Sequence, residues 1–222
     1  MRDRGLDHLV YATPDLDASV MDIAERLGTR PVPGGAHPGR GTRNALVGLG
    51  TGVYLEIVGP DPTQPDPDQA RPFLIDELTD ARLVTWAYRH PDPESIRDAL
   101  ELISRGTDEA VELGKVRAMS RARPDGDTLH WRLSDPLALP ANGIVPFVID
   151  WGTTPHPSTT LPVECEFLEL LVGHPAAETL RPALDLLRPL RDQPQADLRL
   201  RLASEPGLQA RIQTPNGVVE LS

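Results

Sequence analysis

A strand that passes into a helix through a proline sets the plan of this chain. Leu6-Asp7-His8-Leu9-Val10-Tyr11-Ala12 reads as a mostly apolar strand and Thr13-Pro14-Asp15 as the turn that ends it. Leu16, Val20, Ile23 and Leu27 then fall on one helical face, with Asp15 as N-cap, Asp17 in the first turn and Gly28 as the stop. The segment Gly34 to Gly41, with four glycines and a proline, is expected to be a loop. Asn44 to Leu49 is a short strand, Gly50-Thr51-Gly52 a tight turn, and Val53 to Val58 the last strand of the unit.

The order recurs. Leu83 to Arg89 is a strand, and His90-Pro91-Asp92 repeats the first turn. Pro93 opens a helix whose stripe is Ile96, Leu100 and Ile103, with a stop near Gly106. Val116 to Arg123 alternates weakly, 124–127 is a turn, Leu129 to Leu133 is a strand, and Ile144 to Trp151 closes the unit. A shorter third copy runs from Cys165 to Val172 through His174-Pro175, then a stripe of Leu180, Leu184 and Leu187. Pro182 is tolerable only in a first turn, so this helix is expected to start late. Leu198 to Leu202, Leu208 to Ile212 and Val218 to Leu221 are its strands. Residues 61–82, rich in Pro, Asp and Gln, read as a linker.

Recurrence of one helix followed by several short strands argues for an α+β body of repeated βαβββ modules, not a doubly wound sheet. The expected division is 1–60, a linker at 61–82, 83–152, and a shorter module at 153–222, all in one integrated body. Aligned on their prolines, the copies put His8, Thr85 and Glu169 at one position; aligned on their last strands, they put Glu56, Asp150 and Glu220 at another.

Composition narrows the functions. A formal charge of −11 over 222 residues argues against nucleic acid or an anionic membrane as partner. The apolar runs are too short to cross a bilayer, and acidic residues from Asp3 onward do not suit a signal peptide. Cys165 is the sole cysteine, which removes internal disulfides and thiolate clusters and fits a cytoplasmic location; it reads as a small buried residue. A small-molecule ligand and a homodimer remain open.

The blocks Leu6-Asp7-His8-Leu9-Val10, Thr13 to Asp17, His37 to Asn44, Tyr54-Leu55-Glu56-Ile57 and Val145 to Trp151 resemble the vicinal oxygen chelate superfamily, the glyoxalase, bleomycin-resistance and extradiol-dioxygenase group, and within it the glyoxalase-like domain proteins. The resemblance covers the first two copies well and the third loosely. It implies curled mixed or antiparallel sheets around a cleft, with helices outside, and a divalent metal held by the first and last strands of paired modules. On that pattern His8, Glu56 and Asp150 stand at metal-ligand positions, while Thr85 stands at the fourth and is not a useful ligand. The donor types suit Zn, Mn, Ni or Fe, and His130 and His37 are the only further histidines of interest in the two modules.

The resemblance implies lyase, isomerase or dioxygenase chemistry on a small oxygen-bearing metabolite, with Glu56 as ligand or proton-transferring base. Arg40 and Asn44 are expected over the cleft, Arg40 as a clamp for a substrate carboxylate, and His130 and Trp131 as further substrate contacts. Trp86, Trp131 and Trp151 are core candidates, any one of which would wall a cleft it faced. The alternative is a metal-free binding protein, of the drug-sequestering kind, with an acidic cleft for a cationic or aromatic ligand. Asp150 then merely ends a strand or bonds an arginine. Whether His130 or Glu169 supplies the missing ligand separates the two readings.

Overall fold

The computed structural model describes residues 4–122, 126, 128–187 and 197–222. The turn expected at 124–127 lies outside the described residues apart from Gly126.

The first module contains β1 (Gly5–Ala12), α1 (Leu16–Leu27), β2 (Val32–His37), β3 (Thr42–Gly48) and β4 (Tyr54–Pro60). The second contains β5 (Arg82–Arg89), α2 (Pro93–Ser104), β6 (Arg117–Ala122), β7 (Thr128–Leu133) and β8 (Phe147–Asp150). Together they form one eight-stranded sheet in the order β2-β3-β4-β1-β5-β8-β7-β6. β1 runs parallel to β4 and antiparallel to β5, and β5 runs parallel to β8, so the halves are related by a pseudo-twofold axis between β1 and β5. The outer strands β2 and β6 come into contact, which curls the sheet almost into a barrel. This is the expected α+β fold.

The third segment contributes β9 (Glu166–His174), α3 (Ala177–Leu186), β10 (Asp197–Leu202), β11 (Gly207–Thr214) and β12 (Gly217–Leu221). Its element order matches the other two, but its four strands form a separate sheet in the order β10-β9-β11-β12. Here the first strand pairs in parallel with the first strand after the helix, not with the last. Phe167, Leu170, Val172 and Leu180 share a core with Ile23 and Leu27 of α1 and Leu100 of α2, on the convex side of the large sheet. Two polar ties reinforce that contact. Arg26 donates to the Glu220 carbonyl at 2.9 Å, and Asn216 donates to the Glu25 carbonyl at 3.0 Å. Gly28 closes α1 with φ +67°, and a β-carbon there would lie 2.7 Å from Asn216 Oδ1, so conformation and space both require glycine.

The helix starts follow one local rule. Thr13 Oγ1 accepts the Asp15 N–H, His90 Nδ1 the Asp92 N–H, and His174 Nδ1 the Ala176 N–H, at 3.0, 3.1 and 3.0 Å. Asp15 and Asp92 then cap α1 and α2 by accepting from Ala18 and Ser95. Three expectations are corrected. In α2 the buried stripe continues from Leu100 to Ser104, four residues on, and leaves Ile103 exposed. α3 starts at Ala177 and runs through Pro182, forgoing one backbone bond while Leu180, Ala183 and Leu184 hold its buried face. The Gly34–Gly41 segment is strand as far as His37. β2 is an edge strand with a register shift between Pro33 and Gly35, a place where proline and glycine fit a ladder.

One irregularity governs the centre. Leu6 pairs with Tyr88 and His8 with Ala87, so Asp7 is an extra residue bulged out of β1. Parity changes there: Leu6 packs on the convex core, whereas Val10, the next residue on the His8 face, belongs to the concave one. The expectation that Leu6, His8 and Val10 share a face is therefore corrected. The bulge also lets two successive side chains meet, and His8 Nδ1 lies 2.7 Å from Asp7 Oδ1. Asp7, fully buried, takes a second histidine, His156 Nε2, at 3.0 Å and the Trp151 indole N–H at 3.1 Å, both on Oδ2. Arg89 Nη1 stands 3.4 Å from the same oxygen.

Burial alone would push the Asp7 carboxyl pKa up, but the hydrogen bonds and charges of His156 and His8 outweigh it and hold it well below its ordinary value of 3.8. A folded pKa below the unfolded one stabilises the fold above the unfolded value, and that contribution is lost as pH falls below it. Asp7→Asn is expected to cost about 3–5 kcal/mol, because it leaves buried donors without their charged partner. Chemical denaturation at neutral pH measures this. Repeated from pH 6 down to pH 3, it should show the wild type losing its advantage over the variant below about pH 4.

Candidate functional site

The concave face encloses a cleft with roughly 620 Å³ of free space, its open mouth included. Tyr54, Phe73, Trp131, Phe147 and Trp151 give it apolar walls. Trp86 does not take part; its indole N–H bonds the Ile144 carbonyl at 2.9 Å in the convex core.

The polar end is built on the first module. β4 turns Tyr54 and Glu56 into the cleft, two residues apart on one face. The Tyr54 ring stacks on the His8 imidazole with centroids 4.6 Å apart, and Phe147 meets the His8 edge at 5.5 Å. Burial raises the Tyr54 phenol pKa well above its ordinary value, with the Asp7 and Glu56 charges adding to the effect. His8 gives its Nδ1–H to Asp7, so Nε2 faces Glu56 Oε2, 3.6 Å away. The other carboxylate oxygen, Oε1, accepts from the Asn44 amide at 2.5 Å.

Asn44 Nδ2 also lies 3.3 Å from His37 Nε2, and His37 Nδ1 lies 3.0 Å from Thr42 Oγ1. An amide that donates to both Glu56 and His37 requires Nε2 to accept, so the His37 proton sits on Nδ1, toward Thr42. Burial lowers the His37 pKa. The Glu56 charge opposes that, and Arg121 and Arg40 reinforce it, so His37 is neutral at neutral pH. Asn44 Oδ1 is buried with no donor among the described residues.

The structure gathers His8, Glu56, Arg40, Asn44 and Trp131 at the cleft, and adds His37. Asp150 is not among them. Phe147 and Ile149 face inward, so strand parity turns Asp150 out, where it binds Arg132 at 3.0 Å. His130 faces solvent beside Trp131, its backbone N–H 3.4 Å from Thr154 Oγ1. Glu169 lies in the other sheet, bound to Arg199 at 2.6 Å. Thr85 is buried and does not line the cleft.

Register identifies what stands in the place of Glu56 in the second half. Glu56 pairs with Val10, two residues after His8; the matching residue two after Thr85 is Ala87, and it pairs with Phe147. The second module therefore offers Thr85 and Phe147 at the two ligand positions. No group of three or more His, Cys, Asp or Glu side chains suited to a metal ion occurs among the described residues. His8 Nε2 lies 3.6 Å from Glu56 Oε2, and His37 Nε2 lies 3.9 Å from Glu56 Oε1. A metal cage with ligands from both modules does not fit these side chains.

Two site residues escape sequence reasoning. Arg121 of β6 lines the cleft at 5% exposure. Asp7 fixes His8 from behind. Among the described residues, the charged side chains that line the cleft are Arg40, Arg121 and Glu56. Cys165 is buried, with its thiol pKa pushed up to about 11 by desolvation, the inert role its surroundings suggest. No described helix is long and apolar enough to cross a membrane.

No curated protein matches the chain. Among solved structures, a hypothetical protein from Staphylococcus aureus is 14% identical across 98% of this chain and 98% of its own, with a TM-score of 0.64, and so has the same overall fold. A variant of Streptomyces coelicolor methylmalonyl-CoA epimerase in complex with 2-nitronate-propionyl-CoA is 18% identical over 70% of this chain and 100% of its own, with a TM-score of 0.42. The Mycobacterium tuberculosis methylmalonyl-CoA epimerase is 20% identical over 70% and 92%, with a TM-score of 0.40. The family described as glyoxalase-like domain matches residues 6–187, most of the length and both halves of the cleft. The chain belongs to that family, within the vicinal oxygen chelate superfamily.

Proposed function

We propose that this protein binds a small oxygen-bearing metabolite in the cleft and moves a proton on it with Glu56, without a metal. One observation carries the reading: Glu56 is buried at the polar end with Oε1 held by Asn44 and Oε2 directed toward His8 Nε2. A buried carboxylate fixed at one oxygen by an amide, with its other oxygen 3.6 Å from an imidazole nitrogen, suits a general base. The reaction class is proton abstraction next to a carbonyl, as an isomerase or lyase requires. Arg40 and Asn44 orient the metabolite's oxygens, and Trp131 packs on its body. The desolvated walls strengthen each of these polar contacts.

Metal use is the second reading, favoured by the facing of His8 Nε2 and Glu56 Oε2. Those two residues would hold the ion, Zn, Mn, Ni or Fe, and it would polarise a substrate carbonyl. The first reading is preferred because Phe147 and Thr85 stand where the second module's ligands would be.

Elemental analysis of protein purified without chelator is expected to give substoichiometric metal, with no thermal shift on adding Zn, Mn, Ni or Fe(II). Stoichiometric metal that disappears in both His8→Ala and Glu56→Gln would establish the second reading instead. Base catalysis is checked by proton–deuterium exchange at C3 of phenylpyruvate, followed by NMR in D2O. Glu56→Gln is expected to slow the protein-dependent exchange about 100-fold or more. An unchanged rate would remove Glu56 from the proton transfer.

A further inference from the structure

The chain concentrates its aromatic rings at the cleft. It has three Phe, three Tyr and three Trp, and five of these nine, Tyr54, Phe73, Trp131, Phe147 and Trp151, line the concave site. The convex core has more buried residues and holds the other four, Tyr11, Trp86, Tyr88 and Phe167. Aliphatic side chains would wall a cleft as well; rings add faces and edges that attract another ring beyond the area they bury. One of the five is held there against its backbone preference. Phe73 has φ +62° and Leu74 φ +56°, in the left-handed region that bulky residues avoid. Arg71, two residues before Phe73, pins the segment: its guanidinium bonds Asp66 and Asp76 at 2.7 Å and the Gly41 carbonyl at 3.0 Å. The Phe73 ring thereby meets Phe147 with centroids 5.9 Å apart. Strain retained beside a cleft points to a ligand clamp.

The polar end presents acceptors that lack a donor. With its Nδ1–H given to Asp7, His8 turns a bare Nε2 toward Glu56. Glu56 Oε2 stands 3.6 Å from that nitrogen, beyond hydrogen-bond length, while Asn44 serves Oε1. His8 is 3% exposed and Glu56 7%. Two acceptors so buried call for a hydrogen-bond donor from a ligand.

We infer that the cleft takes a planar aromatic compound bearing a hydroxyl group. Its ring system lies against Phe73, Phe147 and the Trp131–Trp151 pair, whose centroids are 5.5 Å apart. Its O–H donates to the acceptor pair of Glu56 Oε2 and His8 Nε2. A hydroxyl meets that pair without carrying a charge into an enclosure of rings. Arg40 lines the same cleft and its charge is felt at His37, which disfavours a cationic ligand. The inference rests on the proposed function only in taking this cleft as the ligand site. The enol formed by proton transfer next to a carbonyl carries a hydroxyl of the same kind.

The experiment is isothermal titration, with and without EDTA, of 2-naphthol, its saturated counterpart 2-decalol, 2-methoxynaphthalene, which has no donor, and 2-naphthylmethylamine, which is cationic. Wild type is expected to bind 2-naphthol about tenfold or more tightly than 2-decalol or 2-methoxynaphthalene, in EDTA as well as without it. Phe73→Leu and Trp131→Leu should each reduce the preference over 2-decalol by about threefold and leave the preference for the hydroxyl. In Glu56→Gln, Asn44 holds the amide oxygen and an N–H faces the cleft, so the preference over 2-methoxynaphthalene should vanish while that over 2-decalol stays. Failure of wild type to bind 2-naphthol, equal affinity for 2-naphthol and either analogue, or binding lost in EDTA overturns the inference. So does tighter binding of the amine, or a hydroxyl preference that survives Glu56→Gln. The wild-type comparisons decide the matter even where a variant does not fold. Exchange and binding separate the two claims. A hydroxyl preference lost in Glu56→Gln with phenylpyruvate exchange unchanged removes the base and keeps the ligand class; exchange lost in Glu56→Gln, with wild type indifferent to ring and hydroxyl, does the reverse.

Discussion

A fully buried carboxylate organises this molecule. Asp7 is fully buried, and its two oxygens are served by His8, His156 and Trp151, with Arg89 alongside. These partners come from distant parts of the chain. His8 is on β1, Arg89 on β5, Trp151 just beyond β8, and His156 precedes a short 3-10 turn at Pro157–Thr159. One charge therefore ties the two modules to the segment that links them to the third sheet. Its burial is tolerable only because every partner is in place, so the same interaction that stabilises the centre also fixes the geometry of the site.

The consequence for chemistry is a chain of directed groups. The Ser158 backbone N–H points to His156 Nδ1, which leaves Nε2–H for Asp7. Asp7 then takes the proton-bearing Nδ1 of His8, and Nε2 of His8 faces Glu56. On the opposite side Asn44 aligns Glu56 and His37 with one amide. The first module thus carries the directional groups. The second, related by the pseudo-twofold axis, carries Phe147 where the first has Glu56, and it brings Arg121 across the seam. The polar pairs of the cleft thus lie mainly in one half, and the other half contributes Phe147 and Arg121.

The fold class was legible because it depends on local signals. The Thr13-Pro14-Asp15 and His90-Pro91-Asp92 turns mark the helix starts, and both aspartates cap as their positions suggest. Glu56, Arg40 and Asn44 reach the cleft for the same reason: strand parity and a hairpin turn place them. Asp150 was misjudged because alignment by strand ends ignores parity, and a shift of one residue moves a side chain to the other face. The His8 face was misjudged because a bulge is not written in alternation; the one clue was an aspartate inside an apolar strand. Arg121 was illegible because its role depends on the contact of β6 with β2, which is remote in sequence and whose glycines and proline read as loop. The third segment's strand order is likewise a matter of long-range pairing, since its element order matches that of the other two.

The central claim is that a charged Asp7 takes a proton-bearing nitrogen from each of two histidines. Nitrogen-15 NMR of the imidazole rings at neutral pH tests it directly, because the two tautomers differ in the shifts of Nδ1 and Nε2. The expected result is His8 protonated at Nδ1 and His156 protonated at Nε2, with both patterns altered together in Asp7→Asn. His8 with a bare Nδ1, or a His156 pattern indifferent to Asp7→Asn, would contradict the account.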